Sequence, residues 1–150
     1  VDNKQFVSEN FVIPQIFETE QFRLRMLSVD DMEKDYEAVM ETQERFHSLG
    51  YDWPREGFTL EENLADLKQH QQEFLNREAF AYTVVSLDES RVLGCVYINP
   101  TEINNVDARV RMWVRQSEYE NGLDPILFRE VKKWIESAWP FTKVIYPERE

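Results

Sequence analysis

Apolar and basic residues alternate along Phe22-Arg23-Leu24-Arg25-Met26-Leu27. A period of two reads as a half-buried strand with Phe22, Leu24 and Met26 turned inward. The pattern then becomes helical. Ser28-x-x-Asp31 resembles a capping box with Asp in place of Glu, and Met32, Tyr36, Val39 and Met40 form the buried stripe of the helix it opens. Thr59-x-x-Glu62 is a full capping box. The helix it starts runs to about Arg77, with Leu60, Leu64, Leu67, Gln71, Phe74 and Leu75 on one face and His70 on the outer face. Two aromatic and β-branched runs, Phe80–Leu87 and Arg91–Ile98, flank the turn Asp88-Glu89-Ser90 and read as a hairpin stopped by Asn99-Pro100. A third strand covers Ala108–Arg115. Ala108, Val110, Met112 and Val114 take one side; Arg109, Arg111, Trp113 and Arg115 take the other. After a polar loop from Gln116 to Leu123 comes an amphipathic helix, Asp124–Trp139. Its stripe is Leu123, Ile126, Leu127, Val131, Trp134, Ile135 and Ala138, with Asp124 as cap and Pro125 as first helical residue. Phe141–Tyr146 is the last strand.

This order predicts a single α/β domain over residues 20–150: a mixed sheet with helices on both faces, in the order β-α-α-β-β-β-α-β. Residues 1–19 form an N-terminal arm. With Phe6, Phe11, Val12, Ile13, Ile16 and Phe17 it is too apolar to be left in water, so it is expected to pack on the domain or on a second copy.

Length and charge narrow the classes of function. The chain has 150 residues, room for one core, and a net charge of −12. Such a field repels nucleic acid and anionic membrane, so neither is an expected partner, whereas a cationic acceptor such as an amine is attracted. No apolar run approaches the roughly 20 residues of a membrane helix. No basic segment followed by an apolar core marks a secretory leader, and the single cysteine, Cys95, excludes an internal disulfide. A cytoplasmic location is the expectation. Cys95 lies mid-strand in an apolar run and reads as a structural thiol. His47 and His70 are the only histidines and no His/Cys cluster exists, so no metal site is expected.

Four features carry candidate chemistry. The loop His47–Phe58 is rich in aromatics; it either packs back on the domain or forms a recognition wall. Three arginines share one face of the third strand, either paired with glutamates or forming an anion-binding patch, with Arg115 best placed where strand meets loop. Glu102 and Asp107 lie near strand ends as solvated carboxylates or as bases. The start of the last helix offers backbone N–H groups to an anion, but Pro125 deletes one donor, and Glu118, Glu120 and Asp124 add negative charge.

The run Val92-Leu93-Gly94-Cys95-Val96-Tyr97-Ile98, then Trp113-Val114, a loop and a helix, resembles the GNAT superfamily of acyl-CoA-dependent N-acyltransferases. The resemblance extends over Phe22–Met40 and so covers most of the chain after the arm. The family's phosphate loop, Gln/Arg-x-x-Gly-x-Gly/Ala, corresponds to Glu120-Asn121-Gly122-Leu123-Asp124-Pro125. Glu120 replaces Gln or Arg, one glycine remains, and the spacing is shorter by about a residue. The resemblance implies acetyl-CoA as cofactor, held by Trp113, Val114, Arg115, Tyr119, Asn121 and Gly122, with Tyr51 and Trp53 touching the acceptor amine. It assigns no catalytic residue: the family's general-acid tyrosine lies on a helix beyond the elements found here, and Tyr146 does not match its position. Two functions follow. One is N-acetyltransfer to a small-molecule or peptide amine. The other is a non-catalytic binding or interaction module that has kept the fold and lost the cofactor loop. Without the family's last strands one sheet edge is expected to be open, for the arm or a homodimer partner to cover.

Overall fold

The computed structural model describes residues 5–149. Six strands form one sheet in sequence order: β1 (Ile16–Glu18), β2 (Arg23–Met26), β3 (Phe80–Val85), β4 (Val92–Asn99), β5 (Ala108–Val114) and β6 (Val144–Ile145). β1 to β5 are antiparallel neighbours, and β6 joins β5 in parallel, Ala108 opposite Val144. The helices are α1 (Met32–Ser48), α2 (Leu60–Leu75), α3 (Gln116–Glu120) and α4 (Leu123–Ala138). The expected mixed sheet with helices on both faces is what the chain forms.

Two apolar layers flank the sheet. On one side Leu127, Val131, Trp134 and Ile135 of α4 pack on Tyr82, Val84, Val96, Val110 and Val114, as the helical stripe predicts. On the other, Ala38, Val39 and Phe46 of α1 and Leu67 of α2 meet Val85, Val92, Cys95 and Trp113. The arm belongs to the first layer. Val7 and Ile13 are buried, and Phe6 stacks between Phe80 and Phe141 at centroid separations of 5.7 and 5.2 Å. Its strand β1 pairs with β2, at the edge opposite β6. The strand that the arm supplies is therefore not at the edge beyond β6.

Several local expectations are corrected. Ser28 caps a short 3-10 turn, Val29–Asp31, and α1 starts only at Met32, because the Asp31 carboxylate binds the Arg25 guanidinium at 2.7 and 2.9 Å instead of capping. The polar loop after β5 contains a helical turn, α3. The last strand shrinks to two residues, since the Asp107 carboxylate takes the amides of Thr142 and Lys143 at 2.6 and 2.9 Å and Phe141 turns to the arm. That contact makes Asp107 a clamp, away from the cavity described below, and Glu102 is exposed. α2 is rotated relative to the predicted stripe: Asn63, Leu67 and Phe74 are buried, and Leu75 is exposed. Among the described residues no helix is long and apolar enough to cross a membrane.

The rotation of α2 leaves a carboxylate inside. Asp35 of α1 is buried, with Asn63 Nδ2 donating to it at 3.0 Å. Burial pushes its carboxyl up to about 6, against the opposing pull of the Asn63 bond, and the nearby Asp31 and Asp66 push the same way as burial. A carboxyl with a raised folded pKa gives its full stability below the unfolded value, about 4, and loses it as pH rises through about 6. Asp35→Asn is therefore expected to stabilise the protein at pH 7, by up to about 3 kcal/mol at roughly 1.4 kcal/mol per unit. The gain should vanish near pH 4. Urea midpoints at the two pH values measure it; equal effects at both would contradict a buried carboxylate.

Candidate functional site

A cavity of about 790 Å³ lies on the α1–α2 side of the sheet. β5 forms one wall with Arg111, Met112 and Trp113. The loop after α1 contributes Tyr51 and Trp53, and α2 contributes Asp66 and His70. Tyr119 of α3 and Asp124 of α4 border it, together with Glu148 and Arg149 from the segment after β6.

The start of α4 is held open by its own sequence. Gly122 is the N-cap residue at φ +86°, a left-handed conformation, with nothing within 4 Å of where a Cβ would stand. Pro125 falls at the third helical position, not the first, and Asp124 makes no cap bond. The amides of Leu123 and Asp124 are thus the first-turn donors without an intrahelical acceptor. Asp124 is instead gripped in bidentate fashion by Arg149 at 2.7 and 2.9 Å. Its charge is matched by a guanidinium rather than left facing an incoming anion. Glu118 is likewise bound to Arg91 at 2.9 Å, and Glu120 accepts from Gln116 Nε2 at 2.9 Å. The negative charge that the sequence places around this helix end is largely paired.

The nominated residues separate into two groups. Trp113, Tyr119, Tyr51 and Trp53 all line the cavity. Trp113 Nε1 donates to Tyr97 Oη at 3.0 Å, Trp53 Nε1 donates to Asp66 at 3.1 Å, and Tyr51 Oη donates to Glu148. The Arg45 guanidinium stacks over the Tyr119 ring, 4.1 Å from its centroid. Trp53 also packs on Phe46 and Phe58, so the aromatic loop both folds back and forms a wall. Asn121 caps α3 and, with Gly122, leads into α4.

Val114 and Arg115 do not face the cavity. The Val114 side chain is fully buried in the core, and its carbonyl accepts from Arg45. Arg115 is the clearest correction. It is 3 % exposed and donates to Glu37 at 2.8 Å, to Glu41 at 2.8 and 3.2 Å, and to the Val92 carbonyl at 3.0 Å. These contacts hold its guanidinium above its ordinary range, and its hydrogen bonds bring the Glu41 carboxyl down to about 2. Four of its five N–H donors join the end of β5 to α1 and β4, and the buried guanidinium does not line the cavity.

Sequence reasoning missed Arg45, His70, Arg111 and Arg149. Arg111 was noticed only as one of three arginines on a face. In the structure it is exposed on the cavity and makes no ion pair with any described residue. Arg149 Nη2 also donates to the Met112 carbonyl at 3.2 Å, tying the segment after β6 across the cavity. Nothing in the local pattern of Pro147-Glu148-Arg149 signals these long-range contacts.

No family model and no curated protein sequence matches the chain. Solved structures do. The ribosomal-protein-S5-alanine acetyltransferase from Vibrio fischeri is 21% identical, with a TM-score of 0.68 over 91% of this chain and 77% of that one. The microcin C7 self-immunity acetyltransferase MccE, solved with acetyl-CoA and AMP, is 14% identical with a TM-score of 0.63, covering 79% of this chain and 65% of that one. RimJ from Mycobacterium smegmatis, in complex with CoA-disulfide, is 14% identical with a TM-score of 0.64, covering 85% of this chain and 64% of that one. The chain therefore has the GNAT fold, the architecture these acetyltransferases share.

Proposed function

We propose that the protein is an N-acetyltransferase that uses acetyl-CoA and acetylates a primary amine of a small molecule or peptide. One observation carries the reading: a single cavity runs from Asp124, at the start of α4 where the first-turn amides lack an intrahelical acceptor, to an aromatic wall of Tyr51 and Trp53. The structural neighbours solved with acetyl-CoA or CoA support it.

The residues present fit the cofactor. The Leu123 and Asp124 amides, at the positive end of a 16-residue helix, are donors for a pyrophosphate. Gly122 lets a ligand approach the main chain, Arg149 neutralises Asp124, and Arg111 supplies a further cation. When bound, acetyl-CoA supplies an acetyl group activated as a thioester. The protein's own part is to position and to exclude water: Trp113 and Met112 wall the cavity along β5, and the aromatic loop receives the acceptor. The net charge of −12 favours approach of a protonated amine.

The direct test is release of the CoA thiol when the protein is mixed with acetyl-CoA and butylamine, spermidine or trialanine. Saturable transfer to at least one is expected. Acetyl-CoA that is neither bound nor consumed with any of them would remove the reading.

A further inference from the structure

His70 looks into the same cavity from α2, one turn beyond Asp66. The sequence pattern puts it on the outer face of the helix. The rotation that buries Asn63, Leu67 and Phe74 turns it inward. Its ring packs against Tyr97 of β4, with centroids 5.4 Å apart and an interplanar angle of 40°. Nδ1 faces the Glu73 carboxylate at 3.6 Å, and Nε2 hydrogen-bonds to no described residue. A carboxylate beside Nδ1 favours the tautomer with its proton there, which leaves the Nε2 lone pair free. The side chain is 35% exposed, so a proton it takes up can pass to water.

The other acidic groups at the cavity are already engaged. Asp66 accepts from Trp53, Asp124 is clasped by Arg149, and Glu148 accepts from Tyr51. Asp35 and Cys95 border a small recess behind His70; Asn63 holds the first, and burial pushes the second's thiol up. Burial likewise pushes the Tyr97 hydroxyl up, which removes it as a base near neutral pH. Asp66 and Glu73 flank His70 on its own helix, and Arg111, Arg45 and Arg149 line the same cavity.

We propose that His70 is the proton acceptor of the transfer reaction, an assignment that rests on the acetyltransferase reading above. The acceptor arrives as an ammonium ion and gives one proton to Nε2. The freed amine lone pair attacks the thioester carbonyl carbon, the new C–N bond forms, and the C–S bond breaks. The second proton lost by nitrogen passes to the departing sulfur, giving an amide and a thiol. His70 then releases its proton to water.

The test begins with calorimetry of acetyl-CoA on the wild type and on His70→Gln, in which equal affinity is expected. Diethyl pyrocarbonate then labels free imidazoles, with sites read by mass spectrometry. Bound acetyl-CoA should slow labelling of His70 several-fold. His47, whose Nε2 is engaged with the Pro54 carbonyl at 2.6 Å, serves as the internal control. Finally, thiol release with water, butylamine or trialanine as acceptor is followed against pH. The wild type should show a limb that ascends with pH. His70→Gln should lack the limb and fall about 100-fold or more in kcat. Acetyl-CoA that binds without protecting His70, a limb that survives in His70→Gln, or bound acetyl-CoA that is never turned over would each overturn the assignment while leaving cofactor binding in place. No acetyl-CoA binding at all removes both.

Discussion

Gly94→Ala is expected to abolish the native sheet rather than merely weaken the site. A Cβ on Gly94 would stand 2.0 Å from the Trp113 carbonyl oxygen and 2.9 Å from the Val114 Cα. Both are main-chain atoms of the neighbouring strand, so no side chain can swing away. Gly94 faces Val114 in the register of β4 and β5, and directly beyond it the Arg115 amide donates to the Leu93 carbonyl at 2.8 Å. Relief requires the two strands to part at the point where β5 hands over to α3. Side-chain overpacking costs roughly 1–3 kcal/mol, and a clash between main chains in the middle of a sheet should exceed the top of that range. Denaturant unfolding of a soluble Gly94→Ala protein within about 1 kcal/mol of wild type would show that the close approach is not a constraint.

Arg115→Met should reduce stability by about 2–4 kcal/mol and leave acetyl-CoA affinity unchanged. The side chain volume is roughly kept, but Val92 loses a buried hydrogen-bond donor, and Glu41 loses the cation at 2.8 Å that joins α1 to β5. Glu37 is 69% exposed and can return to water, which keeps the cost below that of breaking a fully buried pair. The pH dependence has a definite sign. The Glu41 carboxyl is held down to about 2, by Arg115 first, so its contribution is complete above the ordinary carboxylate range and disappears as pH falls through about 2. Arg115→Met should therefore show a shallower acid loss of stability than wild type. A large loss of acetyl-CoA affinity at unchanged stability would reverse the assignment and return Arg115 to the cofactor.

Much of the fold is legible in the sequence because its signals are local. The period of two in Phe22–Leu27, the hairpin turn at Asp88-Glu89-Ser90 and the wide apolar stripe from Leu123 to Ala138 each specify an element without reference to the rest of the chain. α2 misleads for the opposite reason. Its inward face carries Asn63, Asp66 and His70 beside Leu67 and Phe74, since the helix lines a polar cavity as well as a core. A stripe drawn through the leucines alone then rotates the helix and places His70 outside. The candidate site is legible to a similar degree. Tyr51, Trp53, Trp113 and Tyr119, singled out in the sequence, all line the cavity, because aromatics in a loop and at a strand end have few other places to go. The arginines could not be sorted. Arg109, Arg111 and Arg115 share one face of a strand in sequence, yet their fates depend on what packs opposite. Arg115 meets two glutamates of α1, and Arg111 meets open cavity. The pairing of Asp124 with Arg149 joins residues far apart in the chain and cancels the charge of Asp124 at the helix end.

The most direct test of the proposed cofactor site is a titration of the ¹⁵N-labelled protein with acetyl-CoA, followed by amide chemical shifts. Saturable shifts are expected at Leu123 and Asp124, at Gly122 and Tyr119, and along Met112–Trp113 of β5, with little change at Arg115. Unchanged amides at the start of α4 at millimolar acetyl-CoA, or shifts confined to another part of the surface, would contradict it.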